Sequence, residues 1–312
     1  MNPTLRIIRS VAFAAVATLA FASATRAEAA KADPAVTAAY SDIEKTLGFV
    51  PAFFKEIPGV ALPGIWEEMK GLQVSDKTAI PCKYKELIGL AVAAQVPCQY
   101  CIEGHTTFAK LAGAGKDEVG EAVVVAGLAR HWSTFMNGIQ LDEAKFRAEI
   151  KQVTENIRKA MASGAQPPAP INVVDAKSAL ADATQNYGFA PEFLKRFPES
   201  GLVGAYKAMR DVEMNPGTAL PGKYKSLISL AVAAQIPCKY CIIADTEFAK
   251  LEGASDAEIN EAIAMAGLTR EFSTLLNGLQ VDLPRYRADL ARIAKSMAAA
   301  PQPGKKATAK SN

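Results

Sequence analysis

Residues Lys83 to Ala114 read KYKELIGLAVAAQVPCQYCIEGHTTFAKLAGA, and residues Lys223 to Ala254 read KYKSLISLAVAAQIPCKYCIIADTEFAKLEGA. The stretches align without a gap at an offset of 140 residues, and 23 of their 32 positions are identical. The same offset relates Gly48-Phe49-Val50-Pro51 to Gly188-Phe189-Ala190-Pro191, and Asn137-Gly138 to Asn277-Gly278. A period this long marks duplication of a whole domain, since solenoid repeats run to roughly 20–50 residues.

Within each copy the periodicity is helical. Val119, Ala122, Val123 and Ala126 follow three- and four-residue steps, and Ser255-Asp-Ala-Glu258 has the form of a capping box. Asp142 and Asp282 stand where N-caps of a last helix belong, Pro284 follows just inside, and Asn137-Gly138 reads as a helix stop. Alternating strand patterns are missing. The expected class is all-α, with about six helices per copy. The first copy is placed at 30–161 and the second at 171–300, joined by a linker at 162–170 (ASGAQPPAP) and followed by a disordered tail at 301–312.

Two domains suit a chain of 312 residues, and 50% apolar content allows each a core. Arg6 and Arg9 precede the short apolar run Val11 to Ala22, and small residues follow. That run is below the ~20 residues of a membrane span and has the form of a cleavable signal peptide within residues 1–29. The expected location is exported, in a bacterial periplasm. The formal charge of +3 falls to zero once residues 1–27 are removed, which leaves 32 basic and 32 acidic side chains. Electrostatic capture of nucleic acid or of an anionic membrane is therefore not expected of the mature chain.

Five cysteines occur: Cys82, and the pairs Cys98–Cys101 and Cys238–Cys241 at matching repeat positions. Covalent haem would need His after the second Cys, where Ile102 and Ile242 stand. A zinc site would need the pairs much closer than 140 residues, and no metal or cofactor is expected. Dithiol redox chemistry remains. Pro97 and Pro237 mark helix starts, where the dipole favours a thiolate, and an i, i+3 pair brings Cα atoms within disulfide range, about 5–6 Å.

His105 is one of two histidines in the chain. It lies four residues after Cys101 and seven after Cys98, on one helical face, and a base beside a thiol activates it. Glu86 borders an apolar stretch of the preceding helix, so its carboxylate must be exposed, hydrogen-bonded or functionally placed. Position alone leaves the nucleophile open. Cys98 is nearer the helix N-terminus, and His105 is better placed for Cys101.

The pattern Glu86-x11-Cys98-x2-Cys101-x3-His105 resembles the signature of AhpD-like alkylhydroperoxidases, within the wider carboxymuconolactone decarboxylase superfamily. The motif spans about 20 residues, and residues 80–140 resemble that family's core domain. The resemblance implies that Cys101 attacks a hydroperoxide, that Cys98 resolves the product to a disulfide, and that His105 and Glu86 relay protons. It also implies a dithiol reductant and a homo-oligomer, with a trimer of duplicated chains favoured. Relatives often carry His next to the second Cys; Tyr100 stands here. In the second copy Ser226 replaces Glu86 and Asp245 replaces His105, while Cys238 and Cys241 remain. A carboxylate near a thiol disfavours the thiolate, so this half is expected to be degenerate. His131 is matched by Glu271 and is expected on a helix surface. The competing readings are an oligomeric protein with structural disulfides and an enzyme of the lactone decarboxylase kind.

N-terminal sequencing of the exported protein should begin at Glu28 or Ala30. An intact Met1 would overturn the signal assignment.

Overall fold

The structure, a computed structural model, describes residues 33–164 and 168–299. The signal segment, the tail and residues 165–167 of the linker lie outside the described residues. Fourteen α-helices and one π-helical turn (Lys70–Val74) occur among the described residues, and no strand, so the class is all-α. The first repeat contains α1 (Pro34–Leu47), α2 (Ala52–Glu56), α3 (Leu62–Met69), α4 (Cys82–Gln95), α5 (Gln99–Leu111), α6 (Lys116–Gly138) and α7 (Glu143–Ser163). The second contains α8 (Ala176–Tyr187), α9 (Glu192–Lys195), α10 (Glu199–Glu213), α11 (Gly222–Gln235), α12 (Lys239–Leu251), α13 (Asp256–Gly278) and α14 (Leu283–Ala299). Each copy thus has seven helices where about six were expected, one of them very short: α2 has five residues and α9 has four.

Local chemistry explains most boundaries. Ser255 and Glu258 form the capping box of α13, and Asp142 Oδ1 accepts from Lys145 N at 2.7 Å to open α7. Asp282 Oδ1 does the same for Arg285 N at 2.8 Å. The helix stops where Asn137-Gly138 placed it, with the left-handed turn two residues further on. α6 runs through Gly138, and the left-handed residues are Gln140 (φ 50°) and Gln280 (φ 52°). Asn137 instead turns its amide back to Ser133 O at 2.8 Å.

Two compact units divide the chain, one holding α1–α3 and α14, the other running from residue 70 to 280. They cut across the repeats. In the first unit, α14 of the second repeat packs on α1 and α2 of the first. Asp289 Oδ2 accepts from Ala52 N at 2.6 Å, and Phe53, Phe54, Trp66 and Tyr286 form an aromatic cluster. The second unit repeats this exchange in reverse, with α7 on α8. Glu149 Oε2 accepts from Glu192 N at 3.1 Å, and Phe146, Ile150 and Val153 join Ala179, Ala183 and Tyr187 in one core. Gly188, at φ 87°, ends α8 where a Cβ would overlap the Asn156 amide, which holds Tyr187 O at 2.8 Å.

The centre of the second unit is formed by α4 and α11, each buried on nearly every side. A helix apolar all round must be enclosed by other helices. Here α4 and α11 pack on one another, with the Tyr84 and Tyr224 rings stacked at 3.4 Å, and the long α6 and α13 each cover both. Lys85, at 0% exposure, donates to Leu72 O (2.8 Å), Ser75 O (2.5 Å) and Thr78 Oγ1 (2.8 Å). Glu261 from the other repeat accepts from Ala79 N and Ile80 N with Oε2, and its Oε1 faces Lys85 Nζ at 3.9 Å. Lys225 and Glu121 repeat the arrangement around Val212, Asn215, Ala219 and Leu220.

Removing such a charged acceptor leaves buried donors unsatisfied. Glu261→Ala should therefore lower the unfolding free energy by about 2–3 kcal/mol, read by denaturant titration. A change within ~0.5 kcal/mol, the size of an ordinary surface substitution, would show that the cross-repeat lock is inert.

Candidate active site

Cys98 is the N-cap of α5, and Cys101 lies one turn inside it. The two form a disulfide with Cα atoms 5.3 Å apart, and Cys238–Cys241 form its counterpart at 5.4 Å. Cys101 N donates to Cys98 Sγ at 3.2 Å, so one of the free N–H groups at the start of α5 is directed at that sulfur. Asn277 Nδ2, from α13 of the other repeat, reaches the same sulfur at 3.5 Å. Cys98 is fully enclosed at 0% exposure, whereas Cys101 retains 5%.

The structure brings Glu86 and His105 together. His105 Nδ1 lies 2.7 Å from Glu86 Oε2, and both residues are buried. Gln73 Nε2 donates to both Glu86 oxygens, at 3.0 and 3.3 Å, so the carboxylate is not left uncompensated. On the other side of the ring, Nε2 lies 3.3 Å from Thr269 Oγ1, whose hydroxyl is donated to Met265 O at 2.8 Å. The ring is therefore the donor to Thr269. With a carboxylate at its other nitrogen, the ring is held through both nitrogens in a continuous hydrogen-bonded chain.

The helical spacing puts His105 on the face of both cysteines, and its two ring nitrogens are held by groups from other helices. The ring's partners are Glu86 and Thr269, and Cys98 receives Asn277. Shared face on a helix sets proximity; the rotamer is decided by the strongest acceptor, here a buried carboxylate on α4. Gly89 makes this possible, because any Cβ at that position would overlap the His105 ring.

Four contributors lie outside the motif: Gln73, Gly89, Thr269 and Asn277. Comparison across the 140-residue offset offers a signal for three of them, since Gln73, Gly89 and Thr269 face Glu213, Ser229 and Ala129. Asn277 is matched by Asn137 and carries no such mark. His131 is exposed, and Cys82 is a free thiol near Ser75 O. Among the described residues no group of three or more His, Cys, Asp or Glu side chains is placed to hold a metal ion.

The second repeat is rebuilt rather than simply truncated. Asp245 takes the place of the imidazole, and its Oδ2 accepts from Ser229 Oγ, on the Gly89 position, at 2.8 Å. Burial, reinforced by Glu213, pushes the Asp245 carboxyl well above its ordinary range. Burial also pushes Glu213 up to about 7, partly opposed by Lys225. The upward push weakens the charge that Asp245 can exert on a neighbouring thiol relative to an exposed carboxylate.

Because Glu213 binds its proton more tightly folded than unfolded, its contribution is intact below the unfolded value near 4.3 and is lost as pH rises through about 7. Glu213→Gln should therefore melt above the wild type at pH 8, with the difference closing at pH 5. A constant difference across that window would contradict the assignment.

The carboxymuconolactone decarboxylase family model matches residues 61–144 and 201–282, one match in each repeat. No curated protein matches the chain. Among solved structures, a candidate γ-carboxymuconolactone decarboxylase subunit from Burkholderia xenovorans is 15% identical, with a TM-score of 0.49 over 82% of this chain and 98% of that one. The two family matches bracket both cysteine pairs and together span more than half of the sequence. The chain belongs to the carboxymuconolactone decarboxylase family.

Proposed function

We propose that the chain is an exported thiol-dependent peroxidase that turns over at Cys101 and Cys98 in the first repeat. The observation that carries this reading is the buried Gln73–Glu86–His105–Thr269 chain beside a cysteine pair already joined as a disulfide. A structural disulfide has no use for a proton-holding imidazole–carboxylate pair enclosed next to it.

In the reduced protein the Cys101 thiolate attacks the distal oxygen of a hydroperoxide. The O–O bond breaks, the alkoxide leaves as an alcohol with a proton from His105, and Cys101 becomes a sulfenic acid. Cys98 then attacks the Cys101 sulfur, a new S–S bond forms, and hydroxide departs as water with the proton of the Cys98 thiol. An external dithiol returns the disulfide to two thiols. The residual exposure of Cys101 supports its role as attacker. Cys98, with the Cys101 N–H and the Asn277 amide on its sulfur, is stabilised as the thiolate released when the reductant opens the disulfide. An oxidising compartment suits the reading, since disulfides persist there.

Purified protein assayed with cumene hydroperoxide and a dithiol should lose turnover at least 1,000-fold in Cys101→Ser. His105→Ala should lose about 100-fold or more, in line with general acid–base contributions. Gly89→Ala, which displaces the ring, should follow His105→Ala rather than wild type. Unchanged rates in all three would favour structural disulfides, and turnover of γ-carboxymuconolactone without peroxide reduction would favour the decarboxylase reading.

A further inference from the structure

A partly open cavity of about 350 Å³ lies beside Cys241 between helices of both repeats, at the lower end of the roughly 300–1,000 Å³ of small-molecule pockets. Its origin can be read from the repeat comparison. Where the site around Cys98–Cys101 has Glu86, His105 and Thr269, the site around Cys238–Cys241 has Ser226, Asp245 and Ala129, each smaller, and all three line the cavity. A site that had only lost its proton relay would be expected to refill with apolar side chains. This one keeps an open volume and places Glu213, Asp245 and Ser229 in its wall.

The rest of the wall is largely apolar and aromatic, with Trp132, Met136, Phe193 and Phe248 among it. Trp132, 4% exposed, carries an indole N–H that is buried without an acceptor among the described residues. Such a group calls for a partner. Lys225 also lines the cavity, but its ammonium is engaged by Val212 O, Asn215 O and Thr218 Oγ1 at 2.7–2.9 Å and faces Glu121 at 3.8 Å. The Glu213 carboxyl makes no hydrogen bond among the described residues. Asp245 has one, from Ser229. The unspent acceptors are thus acidic, and the unspent donor belongs to an aromatic wall.

We propose that this cavity binds a small organic ammonium ion with an aromatic body and an oxygen able to accept a hydrogen bond. The ammonium would lie against Glu213 and Asp245, the body against the aromatic wall, where cation–π attraction adds to burial, and the oxygen against the Trp132 N–H. Binding would draw the carboxyls into their ionised form. The other titratable groups facing them are Glu252, Lys225 and Tyr187, and burial keeps the Tyr187 hydroxyl neutral. Affinity should therefore rise between pH 6 and pH 8, as Glu213 ionises through about 7. The peroxidase reading concerns the first repeat, and this site stands or falls independently of it.

Calorimetric titration of the intact oxidised protein tests this with three probes that share a phenol body. These are tyramine, 4-ethylphenol and 3-(4-hydroxyphenyl)propionate. One tyramine per chain should bind at pH 8 at least ten-fold more tightly than 4-ethylphenol, with the propionate weakest. The tyramine preference should shrink several-fold at pH 6. Glu213→Gln combined with Asp245→Asn should cost tyramine at least ten-fold and leave 4-ethylphenol unchanged. Should that variant fail to fold, the pH dependence of the unmodified protein decides the matter. Equal or tighter binding of either control, a tyramine affinity flat in pH, or no saturable binding at millimolar concentration would each overturn the proposal.

Discussion

The helices Cys82–Gln95 and Gly222–Gln235 are enclosed on nearly every side, and one repeat does not supply enough surface to enclose either. Each is completed by its counterpart and by the long helix of the other repeat. Burial of these helices is the dominant favourable term, and it is available only if the two copies interlock. The buried lysines follow from the same constraint. Lys85 and Lys225 each spend three hydrogen bonds on their own repeat's loop, while the glutamate that caps that loop, Glu261 or Glu121, comes across from the opposite copy. A charge without such partners would be costly in this interior.

Interlocking decides how the sites are built. The cysteines and the glutamate–histidine pair belong to α4 and α5 of the first repeat, but Thr269 and Asn277 reach them from α13 of the second. Likewise Ala129 and Trp132 of the first repeat form part of the wall beside Cys241. Neither site is the property of one copy. Duplication within a single chain lets the two halves of each site differ, which identical subunits related by symmetry cannot do.

That freedom has been used in a coordinated way. Gly89 is open because the His105 ring occupies the space of its missing Cβ; where Asp245 replaces the ring, Ser229 can carry a side chain, and its hydroxyl holds the shorter carboxyl. Gln73, which offers a donor to the Glu86 carboxylate, becomes Glu213 where that carboxylate has been replaced by Ser226. The second site therefore reads as a consistent alternative in which two carboxyls, a serine hydroxyl and open volume stand in place of a carboxylate–imidazole pair, rather than as an accumulation of losses.

The duplication, the helical class and the paired-cysteine motif are legible in the sequence because they rest on local rules. Apolar spacing, Ser255–Glu258 and Asp142 capping, and the Cys-x-x-Cys interval depend only on residues within a few turns of one another. The same locality leaves the hydrogen-bond partners of His105 undetermined, since a helical face fixes which side chains are near but not which acceptor on a neighbouring helix wins the ring. Tertiary structure alone decided that Glu86 and Thr269 hold the imidazole, that Asn277 reaches Cys98 from 179 residues away, and that α14 and α7 are exchanged between repeats. Those outcomes depend on burying surfaces distant in sequence, and one copy read by itself carries no trace of the partner that completes it.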